Sequence, residues 1–246
     1  MIAARKDPFL DNLLYRVYLR PSLRRHFHAI HAKGMDHLHS LPDDRSVIAY
    51  ANHTNWWDGL VIFFLTRFEP NKEFYCMMEE KQLQHYRFFT WLGAFSVDPT
   101  NSLRAAGTVF YSLRLLKRPK TMLWIFPQGK MTNAHERIDI EPGADFLAHR
   151  SNNTLMLPVA FRYAFFREQR PEILIAIGEP HPAAETSEER IRETLQQLAD
   201  GLVADEHTGD FSRFESLMKP GWSVNKIWEA FRLLIRGRWR EFRPAN

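Results

Sequence analysis

The sequence predicts an α/β fold: a single domain with a mixed, largely parallel central sheet flanked by helices, plus helical terminal segments. Short apolar runs alternate with longer segments of helical periodicity, which is the pattern of strand–helix–strand units. The chain has 246 residues, enough for one large domain or two small ones with a sizeable core. Hydrophobic residues make up 45% of it, a composition that excludes a disordered protein.

The strand candidates are apolar runs bounded by polar or turn-forming residues. In chain order they are residues 47–51, 73–78, 94–97, 121–126, 155–161 and 173–178. The helical candidates lie between them, at residues 56–67, 80–91, 102–117 and 142–150. In a parallel sheet built this way, ligands bind at the carboxyl ends of the strands, so we expect the functional site there.

The two ends of the chain show other patterns. Residues 7–39 are rich in arginine, histidine and aromatic side chains and contain no clear strand, and Pro21 divides them into two helical pieces. In residues 221–243, apolar side chains recur at three- and four-residue steps, and the opposite face is basic except for Glu229. Such a helix, with its tryptophans, is typical of contact with an anionic membrane; a helix packed on the domain is the alternative.

These patterns divide the chain into three predicted parts. They are an N-terminal helical segment that is a candidate membrane-facing element (1–40), an α/β domain (41–206) and a C-terminal basic amphipathic helix (207–246).

Charge and cysteine content narrow the classes of function. The formal net charge of +4 is compatible with a membrane surface, an acidic substrate or nucleic acid, but no recognised nucleic-acid module accompanies it, so we expect no nucleic-acid partner. The single cysteine, Cys76, excludes an intrachain disulfide. No charge-free apolar run approaches about 18 residues and no signal-peptide pattern begins the chain, so we expect a peripheral protein at the cytoplasmic face of a membrane.

His53 and Asp58 are the leading candidates for catalysis. They follow the apolar run 47–51, five positions apart. On one continuous helix their side chains would point well apart, but they can meet if His53 lies in a loop and Asp58 in the first turn of the next helix. A neutral imidazole can accept a proton from an alcohol, and a carboxylate can fix its tautomer. The structural alternative is an ordinary helix cap made by Asn55 and Asp58.

Signatures of several other chemistries are missing from the sequence. It contains no G-x-x-x-x-G-K-[ST] phosphate loop, no G-x-S-x-G nucleophile elbow and no H-E-x-x-H metal motif. The histidines between residues 26 and 39 have no cysteine or acid at a recognisable ligand spacing. We therefore expect neither a metal nor a cofactor.

Three further blocks follow His53 and Asp58 in order: Gly-Ala-Phe-Ser-Val-Asp at 93–98, Phe-Pro-Gln-Gly at 126–129 and Leu-Pro-Val-Ala at 157–160. Each block alone is weak, but the ordered set resembles the glycerolipid acyltransferase family, which includes the lysophosphatidic-acid acyltransferases. The resemblance covers roughly half of the chain.

The resemblance implies an O-acyltransferase that moves a fatty acyl group from acyl-CoA or an acyl-carrier protein to a lipid hydroxyl. The acceptor would be a lysophospholipid such as 1-acylglycerol-3-phosphate, or a related lipid alcohol. His53 would be the general base and Asp58 would orient it. The expected partners are the thioester donor as co-substrate, the lipid acceptor and a membrane surface. The candidate acceptor-binding residues are Gln128, Gly129, Lys130 and Arg104.

Four positions depart from the family pattern. Pro99 replaces an arginine read as a phosphate ligand, Ser96 replaces phenylalanine, Gln128 replaces glutamate and Lys130 replaces threonine. Gln128 can still hydrogen-bond a hydroxyl but carries no charge, and Lys130 or Arg104 would supply a compensating cation. A different lysolipid or a glycosylated lipid alcohol therefore competes with lysophosphatidic acid as the acceptor. The alternative function is a non-catalytic, membrane-surface lipid-binding relative of the same fold.

Overall fold

The computed structural model describes residues 1–98, 100–141 and 143–219 and, further along, Trp228, residues 231–233 and Ile235. The strands, numbered in chain order, are β1 (Ile30–Lys33), β2 (Ser46–Ala51), β3 (Glu73–Glu79), β4 (Ala94–Val97), β5 (Thr121–Ile125), β6 (Thr154–Ala164), β7 (Glu172–Ile177), β8 (His181–Pro182) and β9 (Glu215–Met218).

The nine strands form one mixed sheet in the order β4-β3-β5-β2-β6-β7-β1-β9, with β8 paired to β6. Five pairings are parallel, and β7 and β8 on β6 and β9 on β1 are antiparallel. The predicted α/β fold with a mixed, largely parallel sheet is therefore confirmed.

The helices, also in chain order, are α1 (Pro8–Leu14), α2 (Arg20–His26), α3 (Met35–His39), α4 (Asp58–Leu65), α5 (Glu80–His85), α6 (Ser102–Leu116), α7 (Gly143–Arg150) and α8 (Glu188–Thr208). They cover both faces of the sheet. The face that carries Val47 and Ala49 of β2 packs on α2 and α4, and the face that carries Ile48 and Tyr50 packs on α6, α7 and α8. Strand β2 is buried along its whole length between these layers, which explains its unbroken apolar sequence.

The N-terminal segment differs from its prediction in two respects. Pro21 does not divide it, because α1 and α2 are joined by a π-type turn at Tyr15–Leu19 and residues 8–26 are helical throughout. A wider turn at this point accommodates a residue that has no N–H to donate. The segment also contains β1, which pairs with β7 inside the sheet and was not predicted.

The structure contains other elements that the sequence patterns did not assign. Strands β8 and β9 and the 21-residue helix α8 are all absent from the prediction. The helix predicted at 80–91 is α5 followed by a 3₁₀ turn at Arg87–Leu92.

The C-terminal helix predicted over 207–246 is tested only in part. At its start, Glu215–Met218 forms a strand instead of a helix. Beyond residue 219 most of the predicted helix lies outside the described residues; those that are described, Trp228, residues 231–233 and Ile235, are helical.

Within the described ranges, none of the helices combines the length and the apolar character that crossing a bilayer requires.

Candidate active site

The candidate site lies at the carboxyl ends of β2 and β5, beside the longer strand β6. Tyr50 of β2 is in register with Ile125 of β5 and with Pro158 of β6. Because the strands are parallel and in register, the residue three positions beyond Tyr50, His53, lies beside the residue three positions beyond Ile125, Gln128. Two segments that are 75 residues apart in the chain thereby meet, and a hydrogen bond joins them.

His53 and Asp58 meet as their spacing predicts. His53 lies in the loop after β2, Asp58 is the first residue of α4, and His53 Nδ1 is 2.9 Å from Asp58 Oδ2. An ionised carboxylate only accepts hydrogen bonds, so Nδ1 carries the ring proton and Nε2 keeps a free lone pair. Asp58 is fully buried, whereas the His53 side chain is 22% exposed. The imidazole therefore has a buried partner on one side and access to a substrate on the other.

Four donors converge on the Asp58 carboxylate. The backbone N–H groups of Thr54 and Asn55 donate to Oδ2 at 2.8 and 2.9 Å, and this oxygen also faces His53. The hydroxyl of Tyr163 donates to Oδ1 at 2.5 Å. The loop is therefore wrapped around the acid, which explains how a buried carboxylate is compensated.

The ring and the backbone of His53 are also held. Its imidazole stacks on Phe126 with centroids 4.2 Å apart and planes inclined by 17°. Its N–H donates to Oε1 of Gln128 at 2.6 Å, and its carbonyl accepts from the N–H of Thr132 at 2.9 Å. These contacts, together with the bond to Asp58, fix the direction in which Nε2 points.

Gln128 has partners at both ends of its amide. Oε1 receives the His53 N–H, Nε2 donates to Thr132 Oγ1 at 2.5 Å, and the side chain is buried. The next residue, Gly129, has a φ of +66°, which favours glycine in this turn, and its N–H donates to the Phe126 carbonyl at 3.0 Å. Gly129 and Lys130 are exposed beside the buried Gln128. The turn thus presents its polar surface at these two residues.

Arg104 is placed apart from this cluster. It lies in the first turns of α6, and its Nη1 is 2.8 Å from Glu80 Oε1 and 3.4 Å from Asp98 Oδ2. Hydrogen bonds from the hydroxyl and the N–H of Thr100, and after them the bond from Arg104, lower the pKa of Asp98. β4, which leads into α6, is three strands from β2, roughly 14 Å at the spacing of neighbouring strands. Arg104 is therefore paired with two acids at the outer end of the same sheet edge. Pro99 lies outside the described residues.

Asn52, the residue before His53, continues the hydrogen bonding between β2 and β6 with its side chain. Its Nδ2 donates to the Phe161 carbonyl at 3.0 Å and its Oδ1 accepts the Phe161 N–H at 2.7 Å. β6 extends beyond the end of β2, so these two backbone groups would otherwise lack a partner. The side chain of Asn52 takes the place of the strand that has ended.

A polar cleft of about 300 Å³ lies on the α8 side of these strand ends. Asn52, Thr54 and Gln128 form one wall, and the opposite wall is formed by the loop 132–138 and by α8. This volume is at the lower end of ligand pockets. Since His53 bonds to α4, which packs on the other face of the sheet, the cleft lies on the opposite side of the strand ends from the His53–Asp58 pair.

Tyr163 is the residue of the site that the sequence patterns missed. It is 105 residues from Asp58 in the chain, and no short motif joins a tyrosine on one strand to an acid on a distant helix. Burial, and then the Asp58 charge, raise the pKa of Tyr163 well above its ordinary value. Its hydroxyl therefore remains a proton donor at neutral pH.

Comparison with known proteins gives three results. A family model described as Acyltransferase matches residues 30–162. The chain is 31% identical over 136 residues to a 1-acyl-sn-glycerol-3-phosphate acyltransferase of Streptococcus pneumoniae, covering 52% of this chain and 47% of the relative. The chain thus matches about half the length of that relative. It is also similar to the crystal structure of the 1-acyl-sn-glycerophosphate (LPA) acyltransferase of Thermotoga maritima, with a TM-score of 0.56 and 15% identity over 80% of this chain and 94% of that one. At this identity the last result concerns the fold alone.

Proposed function

The chain belongs to the acyltransferase family, and from this premise we propose that it transfers a fatty acyl group from a thioester donor to the hydroxyl of a lipid acceptor. The donor is acyl-CoA or an acyl-carrier protein, and the acceptor is a lysophospholipid of the 1-acylglycerol-3-phosphate type or a related lipid alcohol. The observation that carries the proposal is the bond from His53 Nδ1 to the buried carboxylate of Asp58. Because this bond holds the ring proton on Nδ1, Nε2 of His53 can accept a proton at the carboxyl end of β2, a central strand of the sheet.

The mechanism that we propose is direct transfer without an acyl-enzyme. His53 Nε2 takes the proton of the acceptor hydroxyl as its oxygen attacks the thioester carbonyl carbon. Asp58 stabilises the imidazolium that results. When the tetrahedral intermediate collapses, the C–S bond breaks, the imidazolium returns its proton to the departing thiolate, and an ester and a free thiol are formed. General-base catalysis of this kind contributes about 10²–10⁴-fold in rate.

We place the acceptor headgroup at the turn of residues 128–130. Lys130 is exposed there and can offer a cation to a phosphate, and Gly129 leaves the backbone open to close approach. Gln128 contributes a neutral amide beneath this surface and holds His53 in place. Arg104 can bind the acceptor only if a phosphate group displaces Glu80 or Asp98 from the Arg104 guanidinium.

The substrate requires a membrane surface, because lysolipids and lipid alcohols stay in the bilayer. Three apolar side chains on the N-terminal helical segment are exposed at four-residue steps: Phe9 (74%), Leu13 (43%) and Val17 (63%). Four arginines within residues 8–26 are also exposed: Arg16, Arg20, Arg24 and Arg25. An exposed apolar stripe beside arginines suits an anionic lipid surface. Farther along the chain, Trp228, Phe231 and Ile235 are exposed as well.

The proposal is tested by incubating the purified protein with radiolabelled acyl-CoA and a total lipid extract, with His53→Ala as the matched control. We expect the wild-type protein, but not the variant, to convert an alcohol-bearing lipid into a labelled ester. If neither protein yields a labelled product with acyl-CoA or with acyl-carrier protein as donor, while both bind lipid vesicles equally, the non-catalytic alternative replaces the enzyme.

A further inference from the structure

Tyr163 contacts the Asp58 carboxylate on the oxygen that His53 leaves open. Its hydroxyl donates to Oδ1 at 2.5 Å, whereas His53 and the two backbone N–H groups of the loop all use Oδ2. In the described part of the chain, no other side chain besides His53 donates to this carboxylate. Tyr163 lies on β6, two residues beyond Phe161, whose backbone is fixed by Asn52. The phenol thus approaches the acid from a rigid strand.

We propose that Tyr163 is a positioning residue of the acyl-transfer reaction. Its hydroxyl holds the carboxylate in the rotamer that presents Oδ2 to His53. Together with His53 and the N–H groups of Thr54 and Asn55, it also compensates the negative charge of the carboxylate. The inference rests on the proposed function, because its role is to orient the general base. Tyr163 acts through Asp58 and touches no reacting atom.

The surroundings of Tyr163 leave little else for its hydroxyl to do. Its ring packs on Phe27 with centroids 5.8 Å apart, and Phe27 in turn contacts Trp57 at 5.0 Å. A phenylalanine would make the same ring contacts. The hydroxyl is therefore needed for the bond to Asp58 and not for packing.

The charged and titratable groups near the pair are few. From the loop after β2 and from α4 they are His53 and Asp58 themselves, and from the end of α2 His26 stacks on Trp57 at 4.8 Å. The turn after β5 contributes the uncharged Phe126 and Gln128. Among the described residues, removing the Tyr163 hydroxyl therefore alters the hydrogen bonding of Asp58 directly and that of His53 through Asp58.

The test is Tyr163→Phe, which deletes one oxygen. Without its donor, Oδ1 is unpaired and buried, so the carboxylate favours the imidazolium form of His53 and its rotamer is less fixed. We expect kcat to fall on the order of tenfold, as for one hydrogen bond to a charged group, with KM little changed. We also expect the acid limb of the kcat/KM profile to move upward by about half a pH unit or more, since the base must first lose its proton.

Tyr86→Phe is the matched control. Tyr86 is partly buried among aromatic rings on the same face of the sheet, and in the described part of the chain its hydroxyl makes no hydrogen bond. This variant is expected to keep both kcat and the pH profile. A second comparison combines Tyr163→Phe with Asp58→Asn: if Tyr163 acts only through Asp58, the tyrosine change should have little further effect on kcat once the carboxylate is gone.

A measurement that does not depend on activity separates this inference from the proposed function. The imidazole resonances of His53 are assigned by their absence in His53→Ala, and their titration is followed by NMR in wild type and Tyr163→Phe. A raised titration midpoint for His53 in Tyr163→Phe supports the positioning role even if no lipid acceptor is ever found. An unchanged midpoint, together with an unchanged pH profile in an active enzyme, would overturn it and reduce Tyr163 to a packing residue.

Discussion

At the scale of single residues, the site depends on side chains that hold each other more than on side chains that face solvent. Asp58 has four hydrogen-bond donors and Gln128 has a partner at each end of its amide. His53 is held by its ring, its N–H and its carbonyl. A base fixed in this way loses little freedom when the substrate arrives, which is the physical basis of preorganised catalysis.

Gln128→Glu tests whether the turn of residues 128–130 faces the acceptor. The glutamate can still accept the His53 N–H, and the Thr132 hydroxyl can turn to donate to it, so the fold should survive. The substitution restores the glutamate of the family pattern and adds a negative charge at this turn. We therefore expect the ratio of kcat/KM between phosphate-bearing acceptors and neutral lipid alcohols to change, measured in parallel assays.

Gln197→Glu is the control for this substitution, since it adds the same charge at an exposed position of α8. It should leave the preference as in wild type. If Gln128→Glu also leaves it unchanged, the acceptor headgroup binds elsewhere.

At the scale of the elements, three parallel strands of unequal length create the site. β2 stops at Ala51 and β6 continues to Ala164, and the gap between them is filled by the Asn52 side chain. The same offset brings Tyr163 alongside α4. Strand register and strand length therefore position both the base and the groups that orient its acid partner.

Asn52→Ala should destabilise the domain, because β6 extends beyond β2 and the Asn52 side chain pairs with Phe161 there. It leaves the buried N–H and C=O of Phe161 unpaired, at a cost of about 2–4 kcal/mol in the free energy of unfolding. Urea denaturation followed by circular dichroism measures this cost. Asn133→Ala, which removes an exposed amide that bonds to Glu136, should change it by less than about 0.5 kcal/mol. Equal effects of the two substitutions would contradict the role given to Asn52.

The accuracy of the sequence prediction differs between elements for physical reasons. Strands buried on both faces, such as β2 and β5, are continuous apolar runs and were predicted within one residue of each end. β1 was missed because a charged and a titratable residue, Lys33 and His31, interrupt its short run. α8 did carry a signal, since Ser187 caps it and Ile191, Leu195 and Leu202 face the core at helical spacing.

The candidate site was predictable only where its residues are close in sequence. His53 and Asp58 are five positions apart and connected by one loop, so local rules sufficed to place them together. Tyr163 and the tie between Asn52 and Phe161 depend on the pairing of distant strands, which periodicity does not specify. The sequence indicates Arg104 by its charge alone, and only the fold pairs it with two acids.

At the scale of the whole molecule, the N-terminal helical segment connects the proposed lipid surface with the site. Its outer side exposes apolar side chains. At the end of α2, His26 and Phe27 contact Trp57, the residue before Asp58. A protein resting on a bilayer through this segment would hold the catalytic pair near the lipid that it acylates.

Replacing Phe9, Leu13 and Val17 together by serine tests this orientation. Because the three side chains are exposed, the fold should keep its stability while sedimentation with anionic vesicles weakens by about tenfold or more. The control replaces Leu103 and Phe110, exposed apolar residues of α6 on the opposite side of the sheet, and should bind as wild type does. A chain ending at Lys219 reports separately on the C-terminal segment. If the triple variant sediments like wild type, this segment is not the lipid-facing surface.

The most direct test of the whole account is the single-turnover rate of acyl transfer by His53→Ala, with the acceptor found in the lipid extract and with folding verified by circular dichroism. The account predicts a loss of at least about two orders of magnitude, since the base contributes about 10²–10⁴-fold. A folded His53→Ala protein that transfers the acyl group at nearly the wild-type rate would contradict it.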